Sequence, residues 1–275
     1  NAWIQAKRDD ALVVARLDEV AWLTNRRAQE MAYQATFRGA AVVTADSVAV
    51  SVHTLSLPDA VPAARPGVRF VDEATLHGLA LGPTPDKARR VALDPASTPV
   101  AVLDALEGAG VTVLQLASPI VKAKALKTGP ELAAMKSAFR RADAVVAGAQ
   151  AWLEARVAEG AAVSERAFAD EVERRFLAAG ATHLSFKVIA AFGEHGAIVH
   201  HLPSSEAFAR PGELVLLDTG CYFDEGFATD LTRTFFVGAP DQAPTAAQRR
   251  MYTLGPRSAV AGMPRGGPPP TAPPP

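Results

Sequence analysis

The chain has 275 residues, of which 49% are hydrophobic and 21% are charged, and its formal net charge at neutral pH is -1. This length is enough to bury one or two sizeable cores, and the near-zero charge argues against nucleic-acid and membrane-surface partners. The single cysteine, Cys221, has no partner for an internal disulfide. The sequence has neither an apolar run of membrane-spanning length nor an apolar signal segment at its start. We therefore expect a cytoplasmic protein.

Residues 10–120 alternate short apolar runs with turn signals, a pattern typical of an α/β domain. Runs of Val, Ala and Leu bounded by Asp, Gly and Pro predict buried strands. The segment PVAVLDALEGAG, residues 99–110, has apolar residues at helical spacing and ends in glycine, which predicts a helix. Prolines between residues 58 and 85 predict loops in the middle of the domain.

From Thr128 onward the pattern changes to long helices followed by strands. Thr128 and Glu131 have the spacing of a capping box, and apolar residues recur at helical spacing as far as Leu153, which predicts a long amphipathic helix. A second helix is predicted from its cap Ser164 to near Gly180. We expect a mostly antiparallel sheet with both helices on one face, built from strands in residues 186–192, 196–201, 213–223 and 227–238.

The last 21 residues differ in kind from the rest, because twelve of them are Pro or Gly. Such a segment cannot form a packed element and is expected to be disordered. With a boundary placed near residues 118–127, the sequence predicts two domains, 1–121 and 122–254, and a tail at 255–275.

Two aspartates, Asp218 and Asp230, are the candidate metal-binding residues of the second domain. Asp218 ends an apolar strand, and Asp230 follows on what is predicted to be the returning strand of a hairpin that turns at residues 224–226. Carboxylates that face each other across a hairpin repel unless one takes up a proton or a cation lies between them. A pair of divalent cations removes that repulsion and lowers the pKa of bound water. The residues alone leave a second interpretation open, because strand-end aspartates are common turn and edge residues.

The string DTGCYFDEGFATDLTRTF, residues 218–235, resembles the metal-binding hairpin of the creatinase, aminopeptidase P and prolidase family. In that family a D-x-G segment is followed by D-x-T-R-T. The resemblance implies that Asp218 binds one metal ion and that Asp230 bridges two, usually manganese. Thr232 and Arg233 belong to the same motif, and Arg233 is expected to orient the carboxylates of the metal site. The alternative interpretation is that Arg233 is an exposed arginine of the strand with no role in the metal site.

The segment GEHGAIVHHLPSS, residues 193–205, is similar to the family's segment that carries an active-site histidine after an apolar strand. The matching residue is His200, which by this resemblance lines the active site and stabilises the reaction intermediate. The position of His201 is commonly tyrosine in relatives, so its role stays open.

The resemblance extends over nearly all of residues 10–254. Residues 17–27 are similar to the family's N-terminal domain and 124–143 to the helix that opens its "pita-bread" catalytic domain. It implies a creatinase-type α/β domain followed by a partial α+β pita-bread domain, and a possible homodimer. The implied activity is metal-dependent hydrolysis of the N-terminal Xaa-Pro bond, with two manganese ions and with peptides that have proline in the second position as substrates.

The family's remaining metal ligands, one His and two Glu, have no counterpart here, since the only acidic residue after Asp230 is Asp241 and no His follows. We therefore expect a truncated, weakly active or inactive chain, and the tail suggests a frameshifted or incompletely assembled reading of a longer peptidase. The rival account is a genuine short protein with a flexible tail. Two other functions stay open: a non-catalytic remnant that binds peptide or a partner subunit, and a metal-free creatinase-like amidinohydrolase, which has no use for both aspartates.

Overall fold

A computed structural model describes residues 10–52, 67–82, 89–202 and 204–263. The described residues fall into two compact units. The first unit contains the residues up to Phe139 together with 182–186 and 222–228, and the second contains 140–181, 187–221 and the residues from Thr229 onward. The loops predicted from the prolines at 58–85 lie outside the described residues. No helix in the described part of the chain has the length and apolar character that crossing a membrane requires.

The first unit is built on a six-stranded sheet in the order β4-β3-β2-β1-β5-β6. Its central strand β1 pairs antiparallel with β2 and parallel with β5, so the sheet is mixed. The strands are β1 (Ala11–Val14), β2 (Gly39–Val43), β3 (Val48–Val52), β4 (Val68–Phe70), β5 (Arg90–Leu93) and β6 (Thr112–Gln115).

Both faces of this sheet are buried, because successive residues of β1 enter two different apolar clusters. Leu12 and Val14 pack in one cluster, and Ala11 and Val13 pack in the other. Burial on both faces explains why the strand is a continuous apolar run. The helices of this unit are α1 (Leu17–Thr24), α2 (Glu73–Leu81), α3 (Val100–Gly108) and α4 (Pro119–Ala125). The predicted α/β architecture and the helix within residues 99–110 are confirmed.

The predicted helices after Thr128 are also present, with the predicted caps. Helix α5 (Gly129–Ala158) is preceded by Thr128, whose backbone N–H donates to Glu131 Oε2 over 2.7 Å while the Thr128 hydroxyl accepts from the Glu131 N–H. Helix α6 (Glu165–Ala178) is capped by the Ser164 hydroxyl, which accepts from the Ala167 N–H. Both caps satisfy backbone donors that the first helical turn leaves free.

The second unit contains a three-stranded antiparallel sheet in the order β11-β9-β8. The short strands β7 and β10 form a separate pair outside that sheet, and β7 belongs to the first unit. Phe168 of α6 joins the three-stranded sheet to the helices of the second unit. Its ring lies 6.2–6.4 Å from those of Phe192, Trp152 and Phe235. The remaining elements are β7 (His183–Leu184), β8 (Ile189–Phe192), a 3-10 helix (Gly193–Ala197), β9 (Glu213–Thr219), β10 (Cys221–Tyr222), β11 (Leu231–Val237) and α7 (Ala246–Gly262).

Two predictions about this region are wrong. Residues 196–201 do not form a strand, because the chain leaves β8 through Gly193, at φ 54°, into the 3-10 helix and then an exposed turn. Residues 255–262 are helical instead of disordered, since α7 starts from a capping box at Thr245 and Gln248 and continues past Pro256. Capping offsets the cost of helix nucleation, and most residues of α7 favour helix. The rest of the predicted tail, 264–275, lies outside the described residues.

Candidate functional site

Strands β9 and β11 form the predicted hairpin and fix the surroundings of Asp218. In their antiparallel register Thr232 lies directly opposite Asp218. The Thr232 hydroxyl donates a hydrogen bond of 2.7 Å to Asp218 Oδ1. In the described part of the chain, no hydrogen bond to the second carboxylate oxygen, Oδ2, is found. A carboxylate oriented through one oxygen in this way keeps the other for a hard cation such as Mn²⁺, so the residues fit the expected metal.

The face of β9 that carries Asp218 is the less buried one. Val215 and Leu217 are fully buried, and Val215 lies opposite Phe235, whose ring packs against Phe168 of α6. Asp218 alternates with these residues, so it lies on the opposite face of the strand from the helix side. Asp230 is exposed and immediately precedes β11.

Arg233 is on the other face of β11 from Thr232. It lies opposite the buried Leu217, and its guanidinium donates to Asp143 Oδ1 of α5 over 2.6 Å. The structure therefore pairs Arg233 with Asp143 and not with Asp218. The orienting role expected of Arg233 is therefore not seen among the described contacts, and it is the other motif residue, Thr232, that touches Asp218.

His200 lies in the exposed turn after the 3-10 helix, with a left-handed φ of 54°. A non-glycine residue in this region carries a backbone cost of about 1–3 kcal/mol, and such residues concentrate at functional sites. In the described part of the chain, no hydrogen bond joins His200 to Asp218 or Asp230. His200 therefore stands out by its backbone conformation. Among the described contacts, its side chain does not share the hydrogen bond to Glu165 that its neighbour His201 makes.

A second group of side chains, not anticipated from the sequence, lies in the same unit. Glu165, His195 and His201, called here the Glu165 cluster, bring one ligand atom each to within 4.8 Å of one another. His195 Nδ1 lies 2.8 Å from Glu165 Oε1, and His201 Nε2 lies 2.9 Å from Oε2. The two imidazole rings stack with centroids 4.4 Å apart. His201, whose role the sequence left open, therefore belongs to this cluster.

Glu165 is fully buried at the first position of α6. Its oxygens also accept from the backbone N–H of Phe192 over 2.8 Å and from the N–H and hydroxyl of Ser205 over 3.0 and 2.5 Å. Burial opposes ionisation of this carboxyl group. The hydrogen bonds from Ser205, Phe192, His201 and His195 outweigh burial and lower the pKa of Glu165 to about 2. Glu165 thus fastens β8 and both ends of the His200 turn to the start of α6.

The sequence does not predict this cluster, because an acidic residue that follows a helix cap is usually exposed to solvent. Glu165 follows the cap Ser164, a position where a carboxylate usually serves the helix dipole. The available signal was the crowding of three histidines, His195, His200 and His201, into one short segment. That pattern does not show which histidine turns toward a carboxylate 30 residues earlier.

Comparisons with known proteins agree with this architecture. Residues 1–131 match the family model of the creatinase/prolidase N-terminal domain, and residues 133–259 match that of metallopeptidase family M24. Among curated relatives, a probable Xaa-Pro aminopeptidase P of Pyricularia oryzae is 32% identical and one of Sordaria macrospora is 33% identical. Each alignment covers 91% of this chain and 42% of the relative. The chain thus spans less than half the length of these two proteins.

Solved structures show the same fold. An X-prolyl aminopeptidase of Caenorhabditis elegans, described as a cytosolic enzyme with a di-nuclear active site, superposes with a TM-score of 0.73 at 23% identity, over 88% of this chain and 40% of that one. A prolidase of Pyrococcus furiosus gives a TM-score of 0.71 at 20% identity, over 94% of this chain and 69% of that one.

The fold is that of a two-domain metallopeptidase, with a creatinase-type α/β domain followed by a pita-bread domain. By these matches, residues 1–131 belong to the creatinase/prolidase N-terminal family and residues 133–259 to metallopeptidase family M24, two domains that occur together in the Xaa-Pro aminopeptidases and prolidases.

Proposed function

We propose that this chain carries the first part of the metal site of an Xaa-Pro peptidase. Asp218 and Asp230 would hold the divalent ions, and His200 would act on the substrate. The ions are two manganese ions, and the substrates are peptides with proline in the second position. Support comes from the curated relatives, described as probable Xaa-Pro aminopeptidases P, and from the di-nuclear active site of the Caenorhabditis elegans enzyme.

The observation that carries this proposal is the register of the β9–β11 hairpin. Thr232 lies opposite Asp218 and holds it, and Asp230 comes two residues before Thr232. Because side chains alternate along an extended strand, Asp230 shares the side of Thr232 and Asp218 if the strand conformation continues by one residue. Diagonal neighbours in such a hairpin are about 7–8 Å apart, a distance that metal ions can bridge. Two carboxylates supply the hard oxygen ligands that manganese prefers.

Bound divalent ions supply a water of lowered pKa and polarise the scissile carbonyl. This chain's own residues do the positioning. Thr232 fixes the rotamer of Asp218 through one oxygen, and Glu165 holds the segments on either side of the His200 turn. His200 supplies an imidazole, a side chain whose ring nitrogens can donate or accept a hydrogen bond.

Manganese binding tests the metal assignment directly. We expect the chain to bind Mn²⁺ weakly, because two carboxylates are few ligands for this ion, and the Asp218→Asn variant to lose that binding. The matched control is Asp241→Asn, which changes an exposed aspartate after β11 and leaves the affinity unchanged. Titrations followed by electron paramagnetic resonance measure both. Equal Mn²⁺ affinity in wild type and Asp218→Asn would remove Asp218 from the site.

Cleavage of an Ala-Pro peptide in the presence of Mn²⁺ tests the activity. Activity that chelation and Asp218→Asn both abolish supports a peptidase. Metal binding without cleavage favours the non-catalytic alternative for this chain. Light scattering of the same protein tests the proposed homodimer. The proposed cytoplasmic location is supported by the description of the Caenorhabditis elegans relative as a cytosolic enzyme.

A further inference from the structure

We propose that the Glu165 cluster is a second metal site, built for a first-row transition ion such as Zn²⁺ and separate from the Asp218 and Asp230 carboxylates. The inference does not depend on the proposed peptidase function, because it rests on the ligand atoms of Glu165, His195 and His201 alone. Two imidazoles and a carboxylate are a common zinc ligand set, whereas paired carboxylates suit manganese.

The spacing of the three ligand atoms suits one ion. The nitrogen–oxygen distances are 2.8 and 2.9 Å, and all three ligand atoms lie within 4.8 Å of one another. A tetrahedral ion with bonds of about 2.0–2.2 Å holds its ligand atoms about 3.4 Å apart. Binding therefore requires the two nitrogen–oxygen pairs to move apart by about half an ångström, the two imidazole nitrogens, at most 4.8 Å apart, to settle at a similar spacing, and the imidazole protons that point at Glu165 to be replaced.

The surroundings of Glu165 resemble the outer shell of a metal site. Oε1 is oriented by the backbone N–H of Phe192, and Oε2 by both the N–H and the hydroxyl of Ser205. Metal-ligating carboxylates are usually held by such outer hydrogen bonds, and at Oε1 a lone pair is left for the ion once it replaces the His195 proton.

The charge of Glu165 also suits a cation. It is fully buried, and its described hydrogen bonds come from backbone, hydroxyl and imidazole groups. The adjacent Arg166 is directed to Glu206 instead, at 2.5 Å. Because no guanidinium or ammonium group of the described residues pairs with this buried carboxylate, its negative charge is available to a bound cation. The His195 and His201 side chains are 28% and 13% exposed, so solvent reaches the cluster and water can complete the coordination.

Two conservative variants separate a metal site from a hydrogen-bonded cluster. In His195→Asn the side-chain amide replaces the Nδ1 donor, and in His201→Gln it replaces the Nε2 donor. Both keep a hydrogen bond to Glu165 while removing a metal ligand, so the fold is retained. The matched control is His77→Gln, which removes an exposed imidazole from α2.

The experiment is a Zn²⁺ titration of the full chain against a chromophoric chelator, with the Co²⁺ absorption spectrum as a second readout and circular dichroism to check folding. We expect one Zn²⁺ per chain and intense tetrahedral Co²⁺ bands. His195→Asn and His201→Gln should each lower the affinity for Zn²⁺ by more than the roughly 10- to 100-fold that loss of an outer-shell partner causes. His77→Gln and Asp218→Asn should bind as wild type does.

Unchanged Zn²⁺ affinity in both folded cluster variants overturns the proposal, as does the absence of Zn²⁺ binding by wild type. Loss of the Zn²⁺ site in Asp218→Asn also overturns it, because the ion is then held by the proposed peptidase site. Failure of Mn²⁺ binding or of cleavage leaves these Zn²⁺ results unaffected, so the two proposals fail separately.

Discussion

Replacing Glu165 by Gln tests whether this buried carboxylate holds the His200 turn in place. Gln keeps the size of the side chain but turns one acceptor oxygen into an NH₂ group. Whichever way the amide is oriented, either the Phe192 N–H or the Ser205 N–H loses its acceptor. Removing one partner from a buried charged network costs about 3–5 kcal/mol, and each orphaned donor accounts for about 1–3 kcal/mol of it.

The assay is urea unfolding in the presence of a chelator, combined with amide hydrogen exchange at Phe192 and Ser205. Glu165→Gln should lower the free energy of unfolding by about 3–5 kcal/mol and speed exchange at the amide that loses its acceptor, that of Phe192 or that of Ser205. The control Glu206→Gln changes a residue in the same segment that forms an exposed ion pair with Arg166. An exposed pair contributes at most about 1 kcal/mol, so this variant should resemble wild type.

An unchanged urea midpoint in Glu165→Gln, with both amides still protected, would refute this reasoning. It would mean that the segment keeps its conformation through other contacts and that the hydrogen bonds to Glu165 are incidental. A loss of stability equal to that of Glu206→Gln would lead to the same conclusion.

Three further predictions follow from the second unit. The pKa of Glu165 is about 2 in the folded protein and near its ordinary 4.5 in the unfolded one, so this group contributes about 3 kcal/mol to the free energy of unfolding above pH 4.5. That contribution is lost as the pH falls toward 2. Urea midpoints measured across this pH range should therefore change less in Glu165→Gln than in wild type. Phe168→Ala should lower the free energy of unfolding by about 3–5 kcal/mol, measured by thermal or urea unfolding, because Phe168 is fully buried among aromatic rings. Phe208→Ala should lower it by about 0.5 kcal/mol or less, because Phe208 is 52% exposed. Equal effects of the two variants would contradict the assignment of Phe168 to the core. Thr232→Val should lower Mn²⁺ affinity about 10-fold in a calorimetric titration while Thr234→Val, opposite Leu216, leaves it unchanged, and the reverse order would contradict the orientation of Asp218.

Local sequence determined helices α3, α5 and α6 and several strands, because their signals lie within a few residues. Thr128 with Glu131 and the cap Ser164 predicted two helix starts that the structure contains. The strand around Asp218 followed from its apolar run. The turn that carries His200 was predicted as a strand, since Ile198 and Val199 suggest one and the positive φ of Gly193 is not visible in the residue order.

The sequence alone also identified Asp218, Asp230 and His200 as candidates, because the motif places characteristic residues at fixed spacing within one hairpin and one turn. Only the tertiary structure decided which side chains meet. It placed Thr232 on Asp218, turned Arg233 to Asp143, and joined Glu165 to His195 and His201. The physical reason is that strand register and helix packing bring together residues distant along the chain. A periodic pattern predicts which face of a helix or strand a residue lies on, but only the fold determines which residue of another element lies against it.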